Sequence, residues 1–97
     1  MEAWTRGSRV EVTALFRDRS GRLVDPDAVR VRVRAPDGQE RTYSFGSETE
    51  VVQVGPGHFR IELDLDQSGD WLVRFESDGV GKAAGELVLS VAPSRFD

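Results

Sequence analysis

The 97-residue chain has no cysteine, one histidine and one lysine. Without cysteine there is no disulfide framework, no thiolate metal site and no thiol nucleophile. A single histidine, His58, rules out a multi-histidine metal centre and removes most imidazole chemistry. Long apolar runs are absent as well. The longest are three residues, Ala14-Leu15-Phe16 and Leu87-Val88-Leu89, so no segment reads as a membrane span. Positive charge is in the minority, 13 basic residues against 17 acidic, for a net charge of −4. That is the wrong balance for a protein whose task is to neutralise nucleic-acid phosphates or to coat an anionic membrane. Met1–Val10 carries no apolar core, so no secretory signal is expected.

What remains is a composition of 38% hydrophobic residues, enough for one core in one domain with little to spare. Period-two alternation dominates and no stretch shows a helical period. The first expected strand covers about Ser8 to Asp18, with Val10, Val12, Ala14 and Phe16 on one face and Leu15 breaking the pattern. The second, Ala28–Ala35, alternates most cleanly: Val29, Val31, Val33 and Ala35 inward, Arg30, Arg32 and Arg34 outward. Pro36-Asp37-Gly38 is a tight-turn signal that joins it to a third strand, Glu40–Phe45, in a hairpin. Val51–Val54, His58–Asp66, a row begun by Trp71, Val73 and Phe75, and about Ala84–Ala92 complete the set, with a glycine-rich turn over Asp78–Gly81. Seven short strands with frequent turn signals indicate an all-β antiparallel sandwich, a small barrel being the alternative. Val31, Phe59, Trp71 and Phe75 are the expected core. The expected domain runs over 8–93, with tails at 1–7 and 94–97.

The arginine row Arg30, Arg32, Arg34 is the strongest candidate for chemistry, since guanidinium groups bind phosphates and carboxylates through a planar fork. The competing reading is a solvated strand face neutralised across the sheet. In an immunoglobulin-like strand order the partner would be the fifth strand, whose outer row is Arg60, Glu62 and Asp64. His58 reads as a surface residue, having no second histidine or cysteine to work with. Asp18, Ser20, Asp25 and Asp27 do not match the spacing of a helix–loop–helix calcium loop, and no metal site is expected. The acidic pairs Glu48/Glu50 and Asp64/Asp66 lack the deep cleft that a glycosidase needs. Gly55-Pro56-Gly57 and Gly79-Val80-Gly81 precede no helix, so neither cradles a phosphate. Trp4, Tyr43 and Phe96 stand outside the inward rows. Trp4 and Phe96 lie on the two tails, where they either close the core or anchor a neighbouring subunit. No catalytic residue and no cofactor emerge.

One further pattern is the order of short motifs along nearly the whole chain. It opens with Arg6-Gly7-Ser8-Arg9-Val10 followed by Thr13, Phe16 and Asp18, and continues through Gly21-Arg22-Leu23-Val24-Asp25-Pro26 and Ala35-Pro36-Asp37-Gly38. Gly57-His58-Phe59, Leu63-Asp64, Gly69-Asp70-Trp71 and Val91-Ala92-Pro93-Ser94 complete it. In this order the chain resembles a group of small phage and prophage proteins encoded near capsid and head–tail joining genes. The resemblance implies a single immunoglobulin-like β-sandwich and a non-enzymatic structural role in a tailed-phage or phage-like virion. A head-associated decoration or a neck/connector protein is the first expectation, and an adhesive or carbohydrate-binding module on the particle surface is the alternative. The implied partners are other virion proteins (capsid, portal/connector or tail subunits), contacted in multiple copies on a symmetric assembly, with no nucleic-acid or membrane role. Trp4, Arg30, Arg32, Arg34, Tyr43 and Phe96 are the candidate partner contacts. Both tails are expected to gain order on the particle.

Overall fold

The computed structural model describes residues 4–79, 84–94 and 96. These form eight strands: β1 (Trp4–Thr5), β2 (Ser8–Leu15), β3 (Ala28–Arg34), β4 (Glu40–Ser44), β5 (Val51–Gly55), β6 (His58–Leu65), β7 (Gly69–Asp78) and β8 (Ala84–Ala92). They are arranged in two sheets, five strands in the order β1-β8-β7-β3-β4 and three in the order β2-β6-β5. Leaving β1 aside, the chain changes sheet between β2 and β3, β4 and β5, and β6 and β7. This is the strand order of an immunoglobulin-like sandwich.

Alternation decides which side chains meet. In the smaller sheet the β2–β6 register sets Val10 beside Leu63, Val12 beside Ile61 and Ala14 beside Phe59. In the larger sheet β3 and β7 place Val31 beside Phe75 and Val33 beside Val73. The two apolar faces pack against each other as sandwich sheets do. Val31, Ile61 and Leu65 are wholly enclosed, and Phe59, Trp71 and Phe75 are buried. Phe16 continues the β2 row past the strand's end and meets Phe59 edge-on at 5.8 Å. The Trp71 indole N–H is satisfied by the Gln67 carbonyl at 3.1 Å, as a buried ring of this kind requires. Among the described residues, Ser77 is the one polar side chain that is buried.

The turns follow their local chemistry. At Pro36-Asp37-Gly38, Gly38 has φ +89°, its N–H donates to Ala35, and the Asp37 carboxylate accepts from the Gln39 N–H. The expected hairpin between the second and third sequence strands is β3–β4. The Asp78–Gly81 turn runs into residues outside those described.

Two observations differ from the sequence expectations. Trp4–Thr5 is hydrogen-bonded rather than free of the body: it pairs in parallel with Val91–Ala92. Arg6 then donates to Ala92 in one sheet and Gly7 to Leu65 in the other, so this short segment bridges both. A two-residue strand is too short for alternation to announce it. The second difference concerns β3. Its neighbours are β7 and β4, not the His58 strand, which lies in the other sheet.

Candidate functional site

The outer face of the larger sheet carries the arginine row. Because β3 runs between β7 and β4, the partners of the arginines are Glu76, Asp78 and Glu40 rather than the Arg60-Glu62-Asp64 row. Arg30 donates to Asp78 at 2.7 Å and to Glu76 at 3.4 Å. Arg32 donates to Glu40 at 2.8 and 2.6 Å through two of its nitrogens, and Arg34 reaches the other Glu40 oxygen at 3.2 Å. A fourth arginine, Arg74 of β7, holds Glu76 and Glu86, both at 2.8 Å. The hydrogen bond from Arg32, reinforced by Arg34, holds the Glu40 carboxyl below its ordinary range. Arg74, and then Arg30, do the same for Glu76. Four cations and four carboxylates thus neutralise one another. The displaced acidic row is engaged in the smaller sheet, where Arg9 meets Asp64 and Glu62 and Arg60 meets Glu11.

In the middle of this charged face sit Leu72 and Val88, directly opposite each other in the β7–β8 register. They are 38% and 54% exposed. A depression of about 240 Å³ lies over Leu72, bordered by Arg32, Arg34, Arg74, Glu40 and Glu86. These two apolar residues escaped the sequence reading. Leu87-Val88-Leu89 is an unbroken apolar triplet, and in a strand its middle member must face the opposite way from its neighbours.

The remaining candidates are dispersed. Trp4 lies on β1 and Tyr43 on β4, at opposite edges of the five-stranded sheet. Trp4 is 45% exposed and Phe96 fully exposed. Tyr43 pairs with the inward-facing Val31, so its ring points to the core side, half-buried, with the Arg41 guanidinium 5.5 Å above it. It borders a cleft of about 420 Å³ with Arg41, Glu50, Asp66, Gln67 and Trp71. Tyr43 and the arginine row therefore occupy opposite faces of one sheet, and no single partner surface gathers all six candidates. Met1–Ala3, Arg95 and Asp97 of the expected tails lie outside the described residues.

The acidic loop has structural partners. The Asp18 carboxylate accepts from the Ser20 hydroxyl and from the N–H groups of Ser20 and Arg22. The Ser20 hydroxyl is the main reason that its pKa is lowered. Asp25 accepts from the Gly57 N–H and the Gln53 amide, both at 2.8 Å. His58 is half-buried at the start of β6, opposite Leu15. Among the described residues no three histidine, cysteine or acidic side chains are grouped to hold a metal ion.

No family model matches the chain, and no solved structure matches it. It is similar to two curated proteins, each named alpha-2-macroglobulin, from Xylella fastidiosa strains Temecula1 and 9a5c. Identity to each is 31% over 81 residues, covering 80% of this chain and 5% of the relative. The chain thus spans about a twentieth of the length of these relatives.

Proposed function

We propose that this chain is a non-enzymatic structural domain that binds neighbouring protein subunits within a larger assembly. The observation that carries the reading is the outer face of the five-stranded sheet. Its charged groups are paired internally, while Leu72 and Val88 stay exposed in their midst. A paired charged surface is poorly suited to gripping a phosphate ligand, because each guanidinium would first have to leave a carboxylate. An apolar centre with a polar surround has the composition of a protein contact.

The setting favoured by the order of sequence motifs is a tailed-phage or phage-like particle, with the domain serving as a head decoration or neck component. On a symmetric lattice weak individual contacts add by avidity. A second setting draws on the 31% match. There the domain is one β-sandwich module of a much larger chain, since the match covers only 5% of each alpha-2-macroglobulin relative.

Mass spectrometry of purified phage-like particles from the source strain separates the two. Recovery of this chain as a free species of 10.8 kDa, in a fixed ratio to the major capsid protein, supports the virion setting. Its peptides appearing only within a much longer polypeptide outside particles would replace that setting with the second.

A further inference from the structure

The registers set out the outer face of the larger sheet as a grid. Leu72 of β7 lies opposite Arg34 of β3 on one side and Val88 of β8 on the other. Two residues further along β7, Arg74 lies opposite Arg32 and Glu86. Three guanidinium groups therefore surround one leucine. Arg32 and Arg74 face each other directly across the strands, an arrangement that like charges resist. Carboxylates on either side resolve it. Glu40 of β4 accepts two hydrogen bonds from Arg32, at 2.8 and 2.6 Å, and Glu86 of β8 accepts one from Arg74 at 2.8 Å. The two cations are drawn to opposite sides, and the depression of about 240 Å³ over Leu72 lies between them. Every residue that borders it belongs to a described strand, β3, β4, β7 or β8.

Size, floor and walls select what fits. At about 240 Å³ the depression is smaller than the roughly 300–1,000 Å³ of a drug-sized ligand's site and suits a single side chain. Leu72 gives it an apolar floor. A carboxylate would lie on that floor and compete with Glu40 and Glu86 for guanidinium groups they already hold. An ammonium would enter a ring of three cations. An aliphatic side chain would cover Leu72 and gain nothing from the walls. An aromatic ring gains from both. It covers Leu72, and its face attracts a guanidinium from above the guanidinium plane, a direction that leaves the in-plane N–H groups on their carboxylates. The protein makes one such contact itself, with Arg41 at 5.5 Å above the Tyr43 ring. We infer that the depression over Leu72 receives one aromatic side chain of a neighbouring protein, stacked against the guanidinium groups around it. The inference rests on the reading of this face as a protein contact and adds what the partner brings to it. The ion pairs then serve the contact, because they fix the guanidinium groups before the partner arrives and so lower the ordering cost of binding.

Single-residue probes test this on the intact chain. N-acetyl-phenylalanine amide, N-acetyl-leucine amide and N-acetyl-aspartate amide are titrated while NMR follows the methyl groups of Leu72 and Val88. Titration midpoints are compared rather than shift sizes, since an aromatic ring shifts nearby resonances by its own field. The phenylalanine probe is expected to saturate at about two- to fivefold lower concentration than the leucine probe, the increment of an exposed cation–π contact. The aspartate probe should leave the methyl groups unmoved. The double variant Arg32→Lys, Arg74→Lys keeps both charges and removes two planar groups. It should narrow the gap between phenylalanine and leucine without moving the leucine midpoint, an outcome that a purely apolar pocket would not give. Where a thermal melt shows that this variant is unfolded, the order of midpoints in the wild-type chain still decides. Equal midpoints for phenylalanine and leucine, tighter binding of the aspartate probe, a folded double variant with the gap unchanged, or a response at the Tyr43–Trp71 cleft with none at Leu72 overturns the inference. If the chain is then still recovered on particles or within a larger assembly, the proposed function stands with a contact of another kind. The expected order of midpoints in a protein found in no assembly leaves the aromatic site standing and removes the function.

Discussion

Gly57 offers a stringent test of how the two sheets are joined. It sits between β5 and β6 with φ +63°, and a Cβ built there would lie 2.7 Å from the carbonyl oxygens of Phe16 and Val24 and 2.9 Å from the Val24 nitrogen. All three are backbone atoms. None can rotate aside as a flexible side chain would. The same glycine donates to Asp25 at 2.8 Å and accepts from the Phe16 N–H at 2.8 Å, while Val24 donates to Phe16 at 2.9 Å. Gly57→Ala therefore combines two penalties. A left-handed backbone costs an L-residue about 1–2 kcal/mol. Relieving the clash moves Phe16 and Val24 and strains three hydrogen bonds, each with a net contribution of about 1 kcal/mol. The expected loss is about 3–5 kcal/mol, a large part of the total of roughly 5–15 kcal/mol typical of a folded domain.

Gly38→Ala is the internal control. Its φ is +89°, yet nothing lies within 4 Å of the added Cβ, so only the conformational cost of about 1–2 kcal/mol applies. Urea denaturation followed by circular dichroism gives both values from midpoint and slope. Thermal melts should separate the variants by at least ~8 °C, since 1 kcal/mol shifts the midpoint by about 4–8 °C at this size. If the two variants lose the same stability, the close packing of the Phe16–Val24 segment on Gly57 is wrong.

Two other expectations concern the core and the charged face. Phe59→Ala, which empties the place where Phe16 and Phe45 both meet the ring edge-on, is expected to cost about 3–5 kcal/mol by chemical denaturation, whereas the exposed Phe96→Ala should stay within about 0.5 kcal/mol of wild type. Glu40 and Glu76 have folded-state pKa values held below the ordinary carboxylate range by Arg32 and Arg74. Their stabilisation is complete above the unfolded glutamate pKa of about 4.3 and is lost as pH falls through the lower folded values. The melting temperature should therefore drop on acidification below that point, and a Glu40→Gln, Glu76→Gln double variant should show a shallower drop across the same window.

The fold was legible because its signal is local and repeated. Val29-Arg30-Val31-Arg32-Val33-Arg34 can satisfy both water and a core only as a strand with one dry face, and the Pro36-Asp37-Gly38 turn dictates that the next strand pairs back on it. Strand neighbours across the sheet are a different matter. Nothing in the residues of β3 states that Glu76 and Asp78, rather than Glu62 and Asp64, lie alongside, because both candidate strands alternate acidic outer positions with apolar inner ones. Of the two readings of the arginines, the structure shows the cross-strand pairing, but with acids other than the expected Glu62 and Asp64. The edge segment Trp4–Thr5 was missed for want of length, and Val88 because an apolar triplet hides which member faces out.

The two sheets differ in how they treat their margins, and that difference bears on where contacts form. β2 edges the smaller sheet with outward Arg9, Glu11 and Thr13, and β5 is interrupted by a bulge at Gln53–Gly55. Both are ordinary ways of discouraging strand addition. The broad outer face of the larger sheet is closed by its own ion pairs, so docking a charged surface there must first break bonds as short as 2.6 Å. Among the described residues, the seven of β8 that do not pair with β1 carry neither device. The backbone groups of Ala84, Glu86, Val88 and Ser90 point away from β7, Leu87 and Leu89 are only half covered, and the one carboxylate is already held by Arg74. A contact made along this margin gains hydrogen bonds and apolar cover without dismantling the charged face. On physical grounds, a contact on the larger sheet should therefore centre on the exposed Leu72 and Val88, which can be covered with the ion pairs intact, rather than on the arginine row that dominates the sequence.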